Sequence, residues 1–107
     1  MAPLQITYST VLVLHAIKQG YRYGFDIMDV TGLPSGTVYP ALRRLERGGA
    51  LRSKWEGEQV AVRQQRPQRR YYLITPRGER VLHEGLQRYR GLARSIPTNV
   101  RTETADW

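Results

Sequence analysis

Arg43, Arg44 and Arg47 stand close together, preceded by Thr37 and Tyr39. A guanidinium is a planar fork of donors that matches phosphate oxygens and the guanine edge, and a hydroxyl bonds readily to either. On a helix, Gly36, Pro40, Arg43 and Arg47 fall on one face. Thr37 and Arg44 flank that face on one side and Tyr39 on the other, while Val38, Leu42 and Leu45 point together the opposite way. The segment therefore reads as a helix with one greasy side for a core and one arginine side for a polyanion.

No comparable constellation supports catalysis. His15 and His83 are the only histidines, each isolated, and no nucleophile lies in a recognisable catalytic motif. Glu79 and Glu84 have the spacing of ordinary surface charge. The chain has no Cys, which excludes disulfides, Cys-based zinc sites and thiol chemistry. The expectation is a protein that is not an enzyme and carries neither metal nor cofactor.

Charge points the same way. The net charge is +8, and fifteen of the 17 cations are Arg. From Arg43 to Arg80 there are 11 basic and 4 acidic residues, so nearly all the excess sits in that stretch. Concentrated positive charge suits nucleic acid. At 107 residues, 40% hydrophobic and 24% charged, the chain has the composition of one small globular domain, its core open to completion by a second subunit. The apolar run Val11-Leu12-Val13-Leu14 is too short to cross a bilayer and lacks a signal peptide's basic leader and cleavage site. The cytoplasm is the default compartment, with no membrane partner.

The elements that must position the arginines follow from periodicity and punctuation. A first helix is expected over 7–19, with Tyr8, Val11, Leu12, His15 and Ala16 on one apolar face and Val13, Leu14 and Ile17 widening it. A second runs over 23–30, with apolar contacts from Phe25, Ile27, Met28 and Val30, and ends at Thr31-Gly32. The third is N-capped by Ser35, continues to Arg47 and stops at Gly48-Gly49, with an irregular first turn because Pro40 crowds the carbonyl of Gly36. Leu51 to Trp55 alternates as a strand, Leu51 and Trp55 facing one way and Arg52 and Lys54 the other. Arg69 to Thr75 supplies its partner, with Tyr71 and Tyr72 packing on alternate faces. Residues 56–68 between them are expected to be a polar, flexible, basic tip. Thr75-Pro76 opens a last helix reaching Ala93, with Val81, Leu82, Leu86, Tyr89, Leu92 and Ala93 as its stripe. The tail over 95–107 is expected to be loose, apart from docking of Trp107.

The order helix–helix–helix–hairpin–helix is that of a winged helix-turn-helix: a mainly α fold with a small β-hairpin. Tyr23-Gly24-Phe25-Asp26-Ile27 resembles the start of the second helix in PadR-family regulators. Ser35 to Glu46 resembles that family's recognition helix, with Val38 where Leu is usual. Trp55-Glu56 resembles the close of the first wing strand. Arg66-Pro67, followed by Arg69 to Thr75 and Gly78, resembles the end of the wing. The resemblance covers roughly residues 4–93. It departs at the wing tip, where Gln64-Gln65 precede Arg66 and Gln68 is extra; after the wing only one helix follows, as in the family's shorter branch.

The resemblance implies a DNA-binding unit over 1–75, a dimerisation helix over 76–94 and a tail over 95–107. The third helix would enter a major groove. Thr37, Tyr39 and Arg43 would meet base edges with Pro40 close by, and Arg44 and Arg47 would meet phosphate. Ser35 and Gly36 would offer backbone N–H groups to a phosphate, and Tyr23 its hydroxyl. Arg63, Arg66 and Arg69 of the wing would follow the minor groove or the backbone.

One small chain reads too few base pairs for useful specificity, so a homodimer on a pseudo-palindrome is expected. Leu82, Leu86, Tyr89 and Ala93 would meet Tyr8, Val11, Leu12 and His15 across that interface. Any small-molecule effector would bind where the subunits meet, and repression is the family's usual mode. The alternative is a sequence-tolerant architectural or RNA-binding protein, which the basic hairpin would serve equally well.

Overall fold

The computed structural model describes residues 4–100. At its centre is α1 (Tyr8–Lys18), buried without interruption from Thr10 to Ile17. Thr7 caps it, its hydroxyl accepting from the Thr10 amide at 3.3 Å, and Gly20 turns the chain away with a φ of 105°. A short helix so apolar on all sides is stable only when surrounded. The next helix α2 (Gly24–Thr31), α3 (Ser35–Arg47), α5 (Pro76–Arg88) and strand β2 (Arg70–Ile74) all pack on it. A side chain at Gly85 of α5 would stand 2.5 Å from Val11, so that glycine lets α5 lie close to α1.

Helix α2 ends where Gly32 adopts a left-handed φ of 74° and its amide bonds the Met28 carbonyl. Ile27 is its buried anchor. Phe25 was expected to pack beside it but is 73% exposed. Helix α3 starts one residue earlier than a Ser35 cap requires. Pro34 is the capping residue, and its carbonyl accepts from Thr37 and Val38 at 2.9 and 3.0 Å. The helix runs unbroken through Pro40, contrary to the expected irregular turn. Both Gly36 and Pro40 lie toward the outer side, where a carbonyl without its helical amide can face water.

Strand β1 (Leu51–Trp55) pairs antiparallel with β2, Leu51 opposite Ile74, Ser53 opposite Tyr72 and Trp55 opposite Arg70. Leu51 and Tyr72 reach the core, whereas Trp55 extends past its edge and is exposed. The chain before α2 covers the free side of β2 through a Tyr23–Tyr71 bridge and a 2.9 Å bond from the Tyr72 amide to the Arg22 carbonyl. The link between the strands is not a structureless tip. It contains α4 (Glu58–Arg63), followed by a turn in which Gln65 takes a φ of 54°.

Thr75 caps α5, accepting from the Gly78 amide at 3.0 Å. This helix stops at Arg88 instead of reaching Ala93, because Gly91 takes a φ of 88° and bends the chain into a 3₁₀ turn over Leu92–Ser95. The bend returns Leu92 and Ile96 to the core. The following residues are not loose as expected. The Asn99 amide donates to the Gln19 carbonyl at 2.9 Å, its side chain to the Gly20 carbonyl at 3.2 Å, and the Gln19 side chain to the Ile96 carbonyl at 3.1 Å. Trp107 lies outside the described residues.

Candidate nucleic-acid interface

Val38, Ala41, Leu42 and Leu45 are fully buried and fix the rotation of α3 about its axis. That rotation exposes Ser35, Gly36, Arg43, Arg44 and Arg47, and leaves Thr37 and Pro40 half-buried. The helix's single carboxylate is turned aside. Glu46 accepts a short hydrogen bond from the Ser53 hydroxyl of β1 and pairs with Arg70 of β2 at 3.4 Å. Among the described residues no ion pair involves Arg43, Arg44 or Arg47. The outward face therefore keeps three full charges beside the hairpin that Glu46 ties to it.

Tyr39 is 39% exposed and its ring lies against the backbone of Gly24 at the start of α2. A methyl group at Gly24 would stand 2.6 Å from the ring and its hydroxyl, so this glycine sets the ring's aim. Nothing in the helical periodicity indicates that contact. The amides of Ser35 and Gly36 precede the first helical bonds, which begin at Thr37 and Val38, and proline offers no side-chain cap.

The wing residues divide into two sets. Arg63 and Arg69 are exposed, Arg69 with its guanidinium 4.8 Å from the centre of the Tyr23 ring. Arg66 was expected on DNA, but its side chain is only 17% exposed and grips Glu56, which is 5% exposed, with two bonds of 2.5 and 2.6 Å. Its Nε also donates to Gln64 at 3.0 Å. The Tyr71 hydroxyl donates to the same carboxylate at 2.9 Å, and the Tyr23 hydroxyl donates to Tyr71 at 3.2 Å. Tyr23, expected to give its proton to phosphate, gives it to this network.

The Arg66 hydrogen bonds hold the Glu56 carboxyl below its usual range, outweighing burial, and the pair raises Arg66 in turn. Burial, reinforced by Tyr23 and Glu56, pushes the Tyr71 phenol up, and burial raises Tyr72 as well. Glu56, Arg66, Tyr71 and Tyr23 all lie in motifs legible in the sequence, but nothing there pairs them.

Of the residues expected at a subunit interface, Val11, Leu12, His15 and Leu82 are buried within their own chain. His15 Nε2 is 3.2 Å from the Ala93 carbonyl, while its Nδ1 is buried and meets no hydrogen-bond partner among the described residues. Tyr8 and Ala93 are exposed, and Leu86 and Tyr89 half-buried. Tyr8 stands edge-on to Tyr89 at 5.5 Å, and the Tyr89 hydroxyl donates to the Ile6 carbonyl.

No group of three metal-ligating side chains occurs among the described residues, and none of their helices is long and apolar enough to cross a membrane. A half-open cleft of about 770 Å³ lies beside the wing stem, between Tyr21, Arg22, Asp26, Arg69 and Asn99.

The profile of the transcriptional regulator PadR-like family matches residues 13–84, two thirds of the chain. The chain belongs to the PadR-like family. It is thus a transcription regulator with a DNA-binding fold, of a family that is not enzymatic. A PadR family transcription regulator from hypervirulent Clostridium difficile R20291 is similar in structure, with a TM-score of 0.67 at 26% identity over 82% of this chain and 93% of that one. BpsR of Bordetella bronchiseptica, whose DNA binding is regulated by 6-hydroxynicotinic acid, shares the fold. Its TM-score is 0.62 at 18% identity, covering 83% of this chain and 63% of that one. No curated protein matches the sequence.

Proposed function

We propose that this regulator binds a pseudo-palindromic operator as a homodimer in the cytoplasm, repressing transcription by laying α3 in the major groove. The carrying observation is the division of α3: four buried anchors behind, and in front a positioned tyrosine and three arginines that no ion pair among the described residues engages. Thr37, Tyr39 and Arg43 read base edges with Pro40 close to the groove wall, and Arg44 and Arg47 take phosphates. The Ser35 and Gly36 amides receive a phosphate at the helix start. Arg63 and Arg69 carry the wing's contact to the backbone or minor groove. Arg66 serves inside the wing, and Tyr23 braces it from the start of α2.

The dimer contact forms around Tyr8, Leu86, Tyr89 and Ala93, with Val11, Leu12, His15 and Leu82 as the packed layer beneath. A small effector that changes subunit spacing would release the operator. The control of BpsR by 6-hydroxynicotinic acid supports that part.

Arg43→Ala tests the reading. Its affinity for the preferred duplex should fall by about 1–3 kcal/mol, and for a scrambled duplex by clearly less. Equal losses on both would remove Arg43 from base reading.

A further inference from the structure

Thirteen residues separate Trp55 from Arg69, and within them one carboxylate gathers most of the polar contacts. Glu56 binds both terminal nitrogens of Arg66, accepts from the Tyr71 hydroxyl at 2.9 Å, and lies 3.4 Å from the Arg69 amide. Its backbone closes the loop's neck: the Glu56 amide donates to the Arg69 carbonyl at 2.8 Å, and the Gln68 side chain donates to the Glu56 carbonyl at 2.8 Å. Through Tyr71 and Tyr23 the network reaches the residue that caps α2, and Arg69 stacks on that same Tyr23 ring.

We propose that Glu56 is a positioning residue for DNA binding: with Arg66 it forms a clasp that holds the wing loop against the start of α2 and so aims Arg63 and Arg69. The proposal rests on the DNA-binding reading above. A buried carboxylate must be paired, and a two-pronged guanidinium fits it as an ammonium does not. The clasp therefore requires arginine at 66, whereas a simple phosphate contact would tolerate lysine. It also inverts an electrostatic expectation. Removing the Glu56 charge makes the chain more positive, yet should weaken its hold on a polyanion.

The test compares the full chain with its Arg66→Lys, Arg66→Ala, Glu56→Gln and Arg69→Ala variants. Affinity for the preferred duplex is measured across salt concentrations, and backbone hydrogen exchange is followed without DNA. Cooperative melting by circular dichroism establishes that each variant folds. Arg66→Lys and Glu56→Gln should each lose affinity on the order of tenfold, with a shallower salt slope, because Arg63 and Arg69 leave the phosphates together. Exchange over residues 57–69 should quicken while α3 stays protected. Arg69→Ala should lose about one from the slope with the loop still protected.

Arg66→Lys behaving as wild type, or Glu56→Gln binding more tightly with an unchanged loop, overturns the clasp. Failure of the wild type to bind any duplex would instead remove the DNA-binding premise, and with it the wing's role. Loop exchange reports on the clasp independently of that outcome.

Discussion

Glu56 is an acid buried in the most basic part of the chain, and its stability contribution has a definite sign. Arg66 holds the carboxyl below its ordinary value of 4.5 in the folded chain, so the unfolded chain takes up the proton first as pH falls. The contribution is complete above that ordinary value and is lost as pH drops through the lowered one. The melting temperature of the wild type should therefore exceed that of Glu56→Gln by a constant margin near neutrality, and the margin should close in acid. A margin that persists undiminished at about pH 3 would contradict the assignment. Glu46 shows the complementary device. It is also an acid among bases, but it is spent on Ser53 and Arg70, and so leaves the arginine face of α3 without internal neutralisation.

Among the elements, α3 was the most legible in sequence, because Val38, Leu42 and Leu45 repeat at the spacing that buries one stripe. The hairpin was legible from alternation and the helix–hairpin order. Helix α4 was not, since six residues with Val60, Ala61 and Val62 in a row carry no usable period. The stop of α5 was hidden for the opposite reason. Leu92 keeps the spacing of the apolar stripe, but Gly91 bends the chain before it, and Leu92 reaches the same core by another route. Contacts that no single helix or strand spans, such as Glu56 with Arg66 or Gly24 with Tyr39, have no periodic signature at all.

Two glycines separate positioning from stability at this scale. Gly24→Ala meets the far end of the half-exposed Tyr39 side chain, which can swing away. It should leave stability within about 1 kcal/mol while lowering affinity for the preferred duplex. Gly78→Ala meets the Ala50 carbonyl oxygen at 2.1 Å, where backbone must move. It should cost about 1–3 kcal/mol or more by denaturant unfolding. The reverse order of the two stabilities would contradict this account of the packing.

The molecule as a whole closes its core within one chain and keeps its excess positive charge on α3 and the hairpin. A helix of 13 residues spans roughly 20 Å, enough for one stretch of major groove and too little for an operator. Two copies joined through the Tyr8, Leu86, Tyr89 and Ala93 region would present two such helices in opposite senses. Selection of bound duplexes from a random library measures specificity, symmetry and spacing at once. The expected product is an inverted repeat whose half-sites lie about one helical turn, 34–36 Å, or a multiple of it apart. A pool that shows no enriched sequence, or a single unrepeated motif, would contradict the paired reading of DNA by α3.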